Sequence, residues 1–477
     1  MAELASTARP AEPQVLPTPK CIPRLGVRKL PSKRQAIIAD IEDSAPCFSK
    51  EQAAVIRGDL LTWYTAHHRK LPWRFTQDSS ISQDLRQRRA YATWVSEVML
   101  QQTRVATVID YFNRWMNKWP TVRDLASATQ EEVNSVWAGL GYYRRARFLL
   151  EGAKQIVEVH EGLLPSSSKQ LQKIRGIGRY TAGAIASIAF DQPVPVVDGN
   201  VVRVLCRLKA ISNVPRTSST MEILWTLAEQ LVDDKRPGDL NQALMELGAT
   251  ICSPTSPQCL HCPLKETCVG YKLSQETQNT RNPVQVTDYP MKAVKPAPRQ
   301  EYVAVCVLEK SVISGYDTDS FELDATDSCL LLVRRPKTGL LAGLWEFPSA
   351  SLESDNPSLK ACRAAIDKYL ESILGIRANS ESELVIERKL VGAYKHVFSH
   401  IHMHMKIEWM RIHVDKKDPH WDTNAKTLNG TEAKWVPING LHDVGLTSGV
   451  KKVYEMFLEF RGRKTITKLR GKRKRID

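Results

Sequence analysis

The chain has 477 residues, 42% apolar and 25% charged. That is enough apolar material for a real core, which excludes wholesale disorder and suggests about three domains at roughly 150 residues each. No run approaches the ~18 consecutive apolar residues of a membrane span and no charged-then-apolar leader opens the chain, so a soluble, intracellular protein without membrane partners is expected, while the net charge of +15 points to a polyanionic partner, nucleic acid first.

Residues 1–45 are rich in Pro, Ala, Lys and Arg and lack helical or strand periodicity, so a flexible basic tail is expected. Up to Arg34 it holds seven basic and two acidic residues, a balance compatible with a mitochondrial transit peptide. From 46 to 273 the pattern is helical. Apolar positions recur three and four apart, as at Val95, Val98, Met99, Thr103 and Val105–Ala106. Punctuation is frequent, at Gly139–Leu140–Gly141, Gly176–Ile177–Gly178, Asp198–Gly199–Asn200 and Pro237–Gly238. The spacing predicts an all-α domain of short helices, with the polar insert 75–90 as a surface loop.

Three features of this domain carry chemistry. In WVSEVMLQQTRV, Glu97 sits among Val95, Val98 and Met99. Its ordinary reading is an exposed helical Glu, but an apolar setting would raise its pKa and let it act as an acid near neutral pH. In LQKIRGIGRYTAGAIASIAF a helix is expected to end near Lys173–Ile174, and Gly176 and Gly178 supply freedom for a tight turn. A small-residue helix follows from about Thr181. Such a helix–hairpin–helix can hold a phosphate oxygen at a helix N-terminus, and Lys173, Arg175 and Arg179 add charge. An ordinary αα-hairpin has the same outline. In PVPVVDGNV, Asp198 precedes a helix. It reads as an N-cap, or as a carboxylate kept ionised at a helix N-terminus, where it could stabilise a developing cation. Two carboxylates in unequal environments suit cleavage of a glycosidic bond through an oxocarbenium-like state.

Cys252, Cys259, Cys262 and Cys268 follow with the spacing C-x6-C-x2-C-x5-C. In an intracellular protein such a crowd reads as metal ligation rather than disulfides. On spacing alone a four-cysteine structural zinc site fits, and ferredoxin spacings differ. Residues 274–300 have four prolines and little periodicity and read as an extended interdomain linker along the surface. After 300 the character changes. Tyr302–Leu308, Cys329–Arg334 and parts of Val391–Val414 are strand-like, helices are expected at 358–374 and 448–460, and 301–460 reads as an α+β domain. Residues 461–477 carry nine Lys and Arg against one Asp. They read as a basic tail that suits nuclear import or loose DNA contact.

The order SEVMLQQT, GLGYYRRAR, GIGRYTAGAIASIAF, VDGNVVRVL and C-x6-C-x2-C-x5-C resembles the MutY family of adenine DNA glycosylases, in the helix–hairpin–helix superfamily with endonuclease III. The likeness covers about 55–270 and continues more weakly through the C-terminal domain. It implies a multidomain protein, in which an all-α helix–hairpin–helix glycosylase with an iron–sulfur subdomain is joined to an α+β Nudix-like domain. It also implies a [4Fe–4S] cluster on Cys252, Cys259, Cys262 and Cys268 in place of zinc. The substrate would be duplex DNA with adenine opposite 8-oxoguanine or guanine, the adenine flipped out of the stack, and the enzyme a monomer in the nucleus and also the mitochondrion.

By the same resemblance Glu97 would protonate the adenine, Asp198 would stabilise or trap the sugar cation, Tyr180 would lie beside it, and Asn200 would orient Asp198 and the water. Trp73 and Arg74 would line the adenine pocket, while Gln102 and Tyr142 would wedge into the stack. Bifunctional endonuclease III-like enzymes carry a Lys where this chain has Tyr180, and a Tyr cannot form a Schiff base, so a monofunctional glycosylase is expected. The alternatives are a bifunctional lyase and a lesion-binding protein with reduced chemistry.

The Nudix-like domain lacks the R-E-x-x-E-E run that holds Mg²⁺ in working hydrolases. Asp367 and Glu371 stand alone in SLKACRAAIDKYLESILG, so a binding module is expected. Its HVFSH run resembles the family's lesion loop, which gives Ser399 a hydrogen bond to 8-oxoguanine with Phe398 and His400 around it. Linker 274–300 has no cysteine for the second metal site that vertebrate members carry, and no Gln-led clamp-binding motif stands near the C-terminus.

Overall fold

The computed structural model describes residues 47–75, 82–215, 217–292, 296–313, 328–336, 338–375, 385–415 and 427–473. The expected N-terminal tail to residue 45 lies outside them. Its helices in chain order are α1 Lys50–His67, α2 Gln83–Leu100, α3 Val105–Lys118, α4 Val122–Ser127, α5 Gln130–Trp137, α6 Arg144–His160, α7 Ser168–Leu171, α8 Arg179–Phe190, α9 Gly199–Leu208, α10 Ser218–Leu231, α11 Pro237–Thr250, α12 Val269–Glu276, α13 Leu359–Leu374 and α14 Ser448–Arg473. The strands are β1 Arg299–Ile313, β2 Cys329–Arg334, β3 Trp345–Glu346, β4 Ser349–Leu352, β5 Val385–Val397, β6 Ile401–Asp415 and β7 Ala433–Pro437. None of the described helices is long and apolar enough to cross a membrane.

The chain divides into two compact units. One takes the described residues up to His68 together with Pro193–Lys292, and it is helical. Helix α1 opens on a capping box in which Ser49 and Gln52 exchange side-chain and backbone bonds. Its apolar stripe, Ala53, Ile56 and Leu60, is buried with Val201, Val204 and Leu205 of α9, Leu224 of α10 and Leu244 and Leu247 of α11. Each such side chain contributes roughly 1.5–3 kcal/mol by leaving water. The segment read as a surface linker differs from expectation. Its first residues end α12, a 3₁₀ turn follows at Val286–Asp288, and Val286 and Tyr289 are buried. Arg207 Nε donates to the Tyr289 carbonyl at 3.1 Å, and Met291 N donates to Ser212 O at 3.2 Å. Two isolated apolar anchors leave no periodicity for a sequence pattern to show.

The other unit takes Arg69–Gln192 and the chain from Ala293 onward. Its helical part packs α2 along α8 and α4 along α6 over fully buried Trp94, Trp115 and Trp137. The loop expected at 75–90 is half helix. Residues 76–81 lie outside the described residues, but α2 begins at Gln83 because Ser82 Oγ accepts from Leu85 N and Asp84 stands in the first turn. The first turns of α2 up to Arg89 are largely solvent-facing, so their polar sequence mimics a loop.

The sheet of this unit has the order β3-β2-β1-β6-β5, with β4 on β1 and β7 on β2. Strands β1 and β6 run parallel, from Arg299 opposite Ile401 to Ile313 opposite Asp415. Alternation along β1 feeds two cores. Ala304, Cys306 and Leu308 face Ile366, Leu370 and Ile373 of α13, and Val303, Val305 and Val307 face Val453 and Phe457 of α14. Strands buried on both faces read as apolar runs rather than alternating ones, which explains the strength of the YVAVCVL signal. Helix α14 runs on to Arg473, into the segment expected as a tail, since Lys and Arg are good helix formers.

Candidate active site and nucleic-acid interface

Glu97 lies in the last turns of α2, where Ala90 to Met99 are all buried. It is 6% exposed, which rules out the exposed-helix reading. The hydroxyl of Tyr180, in the first turn of α8, donates to Glu97 Oε2. The α2–α8 packing therefore places the expected acid and the expected pocket tyrosine in direct contact.

Helix α2 ends at Leu100 with Gln101 as its C-cap, and Gln102 adopts φ +59°. In the loop before α6, Tyr142 adopts φ +49°. Both are non-glycine residues in the left-handed region, a strain that surrounding structure must enforce. Arg145 enforces it. Its Nη1 donates to the carbonyls of Val98 (2.7 Å), Met99 (3.0 Å) and Gln101 (2.6 Å), and its Nη2 to Gly141 O (3.2 Å) and Thr103 Oγ1 (3.4 Å). One guanidinium thus joins the two loops that carry the expected wedge residues. Burial pushes its pKa down to about 10, so it stays charged at neutral pH. The sequence reading passed over Arg145 because it stands among three arginines in YYRRAR. The available signal was its place one turn before Leu149 on the buried stripe of α6.

The hairpin forms as expected, with α7 ending at Leu171 and α8 starting at Arg179. Gly176 has φ +83°, and a Cβ there would lie 2.6 Å from Phe148 Cβ, so glycine is required. Gly178 corrects the expectation. It is extended (φ −90°, ψ 178°) and caps α8 without a side chain, and nothing lies within 4 Å of a built Cβ. It keeps the helix start open to an incoming acceptor rather than relieving strain.

Asp198 is the N-cap of α9. Its Oδ1 accepts from Asn200 N (2.9 Å) and Val201 N (2.7 Å), and its Oδ2 from Asn200 Nδ2 (2.8 Å). The N-cap reading of Asp198 therefore holds. Burial raises its pKa above the ordinary carboxylate value, outweighing these hydrogen bonds and the charge of Arg203, which lower it. Asn200 is fixed in turn. Arg203 Nη2 donates to Asn200 Oδ1 (2.9 Å) and Gly248 O (2.6 Å). A Cβ on Gly248 would lie 2.6 Å from Asn200 Cβ, so α11 can approach α9 only through glycine.

The four cysteines come from the end of α11, a 3₁₀ turn at Cys259–His261, the loop after it, and the N-cap of α12. Buried Arg207 donates to Cys252 Sγ (3.3 Å) and to Ser253 O (2.7 Å), while Arg203 Nε donates to Cys252 O (2.8 Å). Burial pushes the Cys262 thiol up to about 12 and Cys268 to about 11, and the charges of the other cysteines add to the rise. The four sulfurs are thus close enough to feel one another. Among the described residues, no three His, Cys, Asp or Glu side chains form a group that could hold a metal ion.

Trp73 is buried edge-on to Phe112 (5.3 Å between ring centroids), and Arg74 Nη1 donates to Arg69 O at 3.0 Å. In the C-terminal region, Phe398, Ser399 and His400 form the turn between β5 and β6. Phe398 is partly buried against the α14-side core and edge-on to His396 (4.4 Å). Ser399 and His400 are exposed, with Ser399 Oγ 3.1 Å from His400 Nδ1. At the expected Nudix helix, Arg388 Nη1 pairs with Asp367 (2.6 Å) and Arg388 Nε with Glu408 (2.7 Å).

A family model described as HhH-GPD superfamily base excision DNA repair protein matches residues 95–230, and one described as NUDIX domain matches 323–456. The chain is 44% identical to an adenine DNA glycosylase of Arabidopsis thaliana over 88% of its own length and 66% of that protein's. It is 42% identical to the adenine DNA glycosylase of Mus musculus, covering 85% of the chain and 78% of the relative. For that of Rattus norvegicus the figures are 41%, 91% and 82%.

Proposed function

The chain belongs to the adenine DNA glycosylase family, and from that premise we propose that it hydrolyses the N-glycosidic bond of adenine opposite 8-oxoguanine, or opposite guanine, in duplex DNA. It is a DNA glycosylase of base excision repair. The observation that carries the finer reading is the contact of buried Glu97 with the Tyr180 hydroxyl. A carboxyl group in a dry helical setting, next to a phenol rather than an amine, suits protonation of a leaving base without Schiff-base chemistry.

In this reading Glu97 delivers a proton to the flipped adenine and Tyr180 orients it. Asp198 faces the sugar cation with its charge, held by the amides of Asn200 and Val201. A carboxylate aligned in advance stabilises charge that develops only in the transition state. Gln102 and Tyr142, set by Arg145, fill the stack the adenine leaves, and Trp73 and Arg74 shape the base pocket. Gly176 turns the hairpin onto the DNA backbone, and Gly178 leaves the start of α8 open to a phosphate. Ser399, with Phe398 and His400 beside it, reads the opposite 8-oxoguanine.

Cys252, Cys259, Cys262 and Cys268 would hold a [4Fe–4S] cluster. Their donor set fits one, with four mutually sensitive thiols, Cys268 buried and the other three half-buried, and an arginine N–H at Cys252 Sγ. The cluster would supply a rigid charged centre behind α9. The protein acts as a monomer. The basic C-terminal run directs it to the nucleus, and its N-terminal segment also to the mitochondrion.

The test is a single-turnover assay on a duplex with one A:8-oxoguanine pair, with A:G and A:T duplexes as comparison and products read before and after hot alkali. Strand breaks only after alkali, and only with the mispairs, are expected. Breaks without alkali, or borohydride-trapped covalent complexes, would replace this reading with a bifunctional lyase. Tight binding without base release would leave a lesion-binding protein.

A further inference from the structure

Phe148 lies on α6 directly beneath the hairpin. Three guanidinium groups gather around its ring, with the Arg144 carbon at 4.8 Å from the ring centroid, Arg175 at 4.9 Å and Arg147 at 5.5 Å. All three lie within the ~6 Å range in which an aromatic face attracts a cation. Glu151 pairs with Arg147 (3.4 Å) and Arg175 (3.2 Å) through their Nε atoms. One carboxylate against three guanidiniums leaves the group with a net positive charge of two, and exposed Lys173 stands nearby on the hairpin. Arg144 and Arg175 are exposed. Beside them opens a groove of about 710 Å³, lined among others by Gln102, Tyr142, Arg144, Phe148, Arg175 and Gly178. The open side of Gly178 leaves its floor accessible.

We propose that Phe148 is a template that gathers Arg144, Arg147 and Arg175 into one phosphodiester-binding fan beside the wedge residues. Three like charges in so small a space repel one another and would splay into solvent as free side chains. The electron-rich ring face offsets that repulsion, and Glu151 pairs with two of the three guanidiniums. The terminal amino edges then serve the two free oxygens of a backbone phosphate, for which planar guanidinium is suited. The groove is lined by Gln102 and Tyr142 and by the hairpin residues Arg175 and Gly178 together. Phe148 also seats Gly176, so a packing role exists alongside and has to be separated from the electrostatic one.

The proposal rests on the duplex-DNA reading above. The test is the affinity of the full-length chain for a labelled duplex between about 50 and about 200 mM salt, measured on wild type, Phe148→Leu, Phe148→Tyr and the single Arg→Gln variants at 144, 147 and 175. Each Arg→Gln change should lower the slope of log affinity against log salt by part of about 0.9, the worth of the one phosphate the fan holds. Phe148→Leu keeps an apolar packing residue and removes no charge, yet it should lower the slope by about that full amount, more than any single arginine change. Phe148→Tyr keeps the ring and should restore the wild-type slope. Equal slopes for wild type and Phe148→Leu, or a Tyr variant as impaired as the Leu variant, would overturn the proposal and leave Phe148 as packing only. If Phe148→Leu unfolds, the three arginine variants still decide, since unchanged slopes in all three would overturn it. A wild type with no salt-dependent duplex binding would instead sink the DNA reading itself.

Discussion

The two carboxylates that carry the proposed chemistry are held in contrasting ways. Glu97 stands inside a helix, buried among apolar neighbours, and meets a phenol hydroxyl. Asp198 stands at the start of a helix, where two backbone amides and an amide side chain grip both oxygens and Arg203 reaches the same asparagine. The first environment pairs a carboxyl with a proton-bearing hydroxyl. The second fixes a negative charge in direction and place. Burial still raises the pKa of Asp198, so its charge is poorly screened by water and acts at greater strength on a nearby cation. The contrast teaches that role is set by the donors around a carboxylate, not by its being Asp or Glu.

Breaking the first side of the contrast should have the largest effect. Glu97→Gln keeps shape and should lower adenine release about 10³-fold, within the range of general-acid contributions, with duplex affinity changed by less than about threefold in a filter or anisotropy titration. Asp198→Asn should lower release about 10²–10³-fold. Asn is an equally good N-cap, so the melting temperature should hardly move, and a large drop would make Asp198 chiefly a structural cap.

Smaller effects sharpen the picture. Arg145→Met removes the donor shared by the two wedge loops and leaves buried carbonyls unpaired. Single-turnover release should fall about tenfold, with a lower melting temperature. Asn200→Ala should act mainly on pH dependence. Asp198 must be ionised to oppose a cation, so release fails as pH drops through its raised pKa. The Asn200 side chain lowers that pKa. Removing it raises the pKa further, and the acid limb of the rate profile should move to higher pH while the plateau changes little. A limb that moves to lower pH would contradict the assignment.

Much of this was legible in the sequence wherever a short segment does its own work. The turn at Gly176, the cap at Asp198 and the β1 run each read correctly because their cause lies within a few residues. Other features depend on partners far along the chain. Arg145 and Arg207 look like neighbouring surface arginines until distant carbonyls and a thiol come to meet them. The start of α2 is hidden by its polar, exposed turns, and the docking of Tyr289 rests on one ring and one carbonyl. Gly178 was read as a turn residue, whereas its value is the space it leaves. Phe148 drew no attention, since its three arginines come from two separate elements.

The division of labour between Glu97 and Asp198 is tested most directly by changing the leaving group. A duplex carrying N7-methyladenine opposite 8-oxoguanine presents a base that is already cationic and needs no proton to depart. Single-turnover release would be measured for wild type, Glu97→Gln and Asp198→Asn on this duplex and on the adenine duplex. The account predicts that Glu97→Gln recovers most of the wild-type rate on the methylated base while Asp198→Asn stays impaired on both. Equal impairment of the two variants on both bases, or normal adenine release by Glu97→Gln, would contradict it.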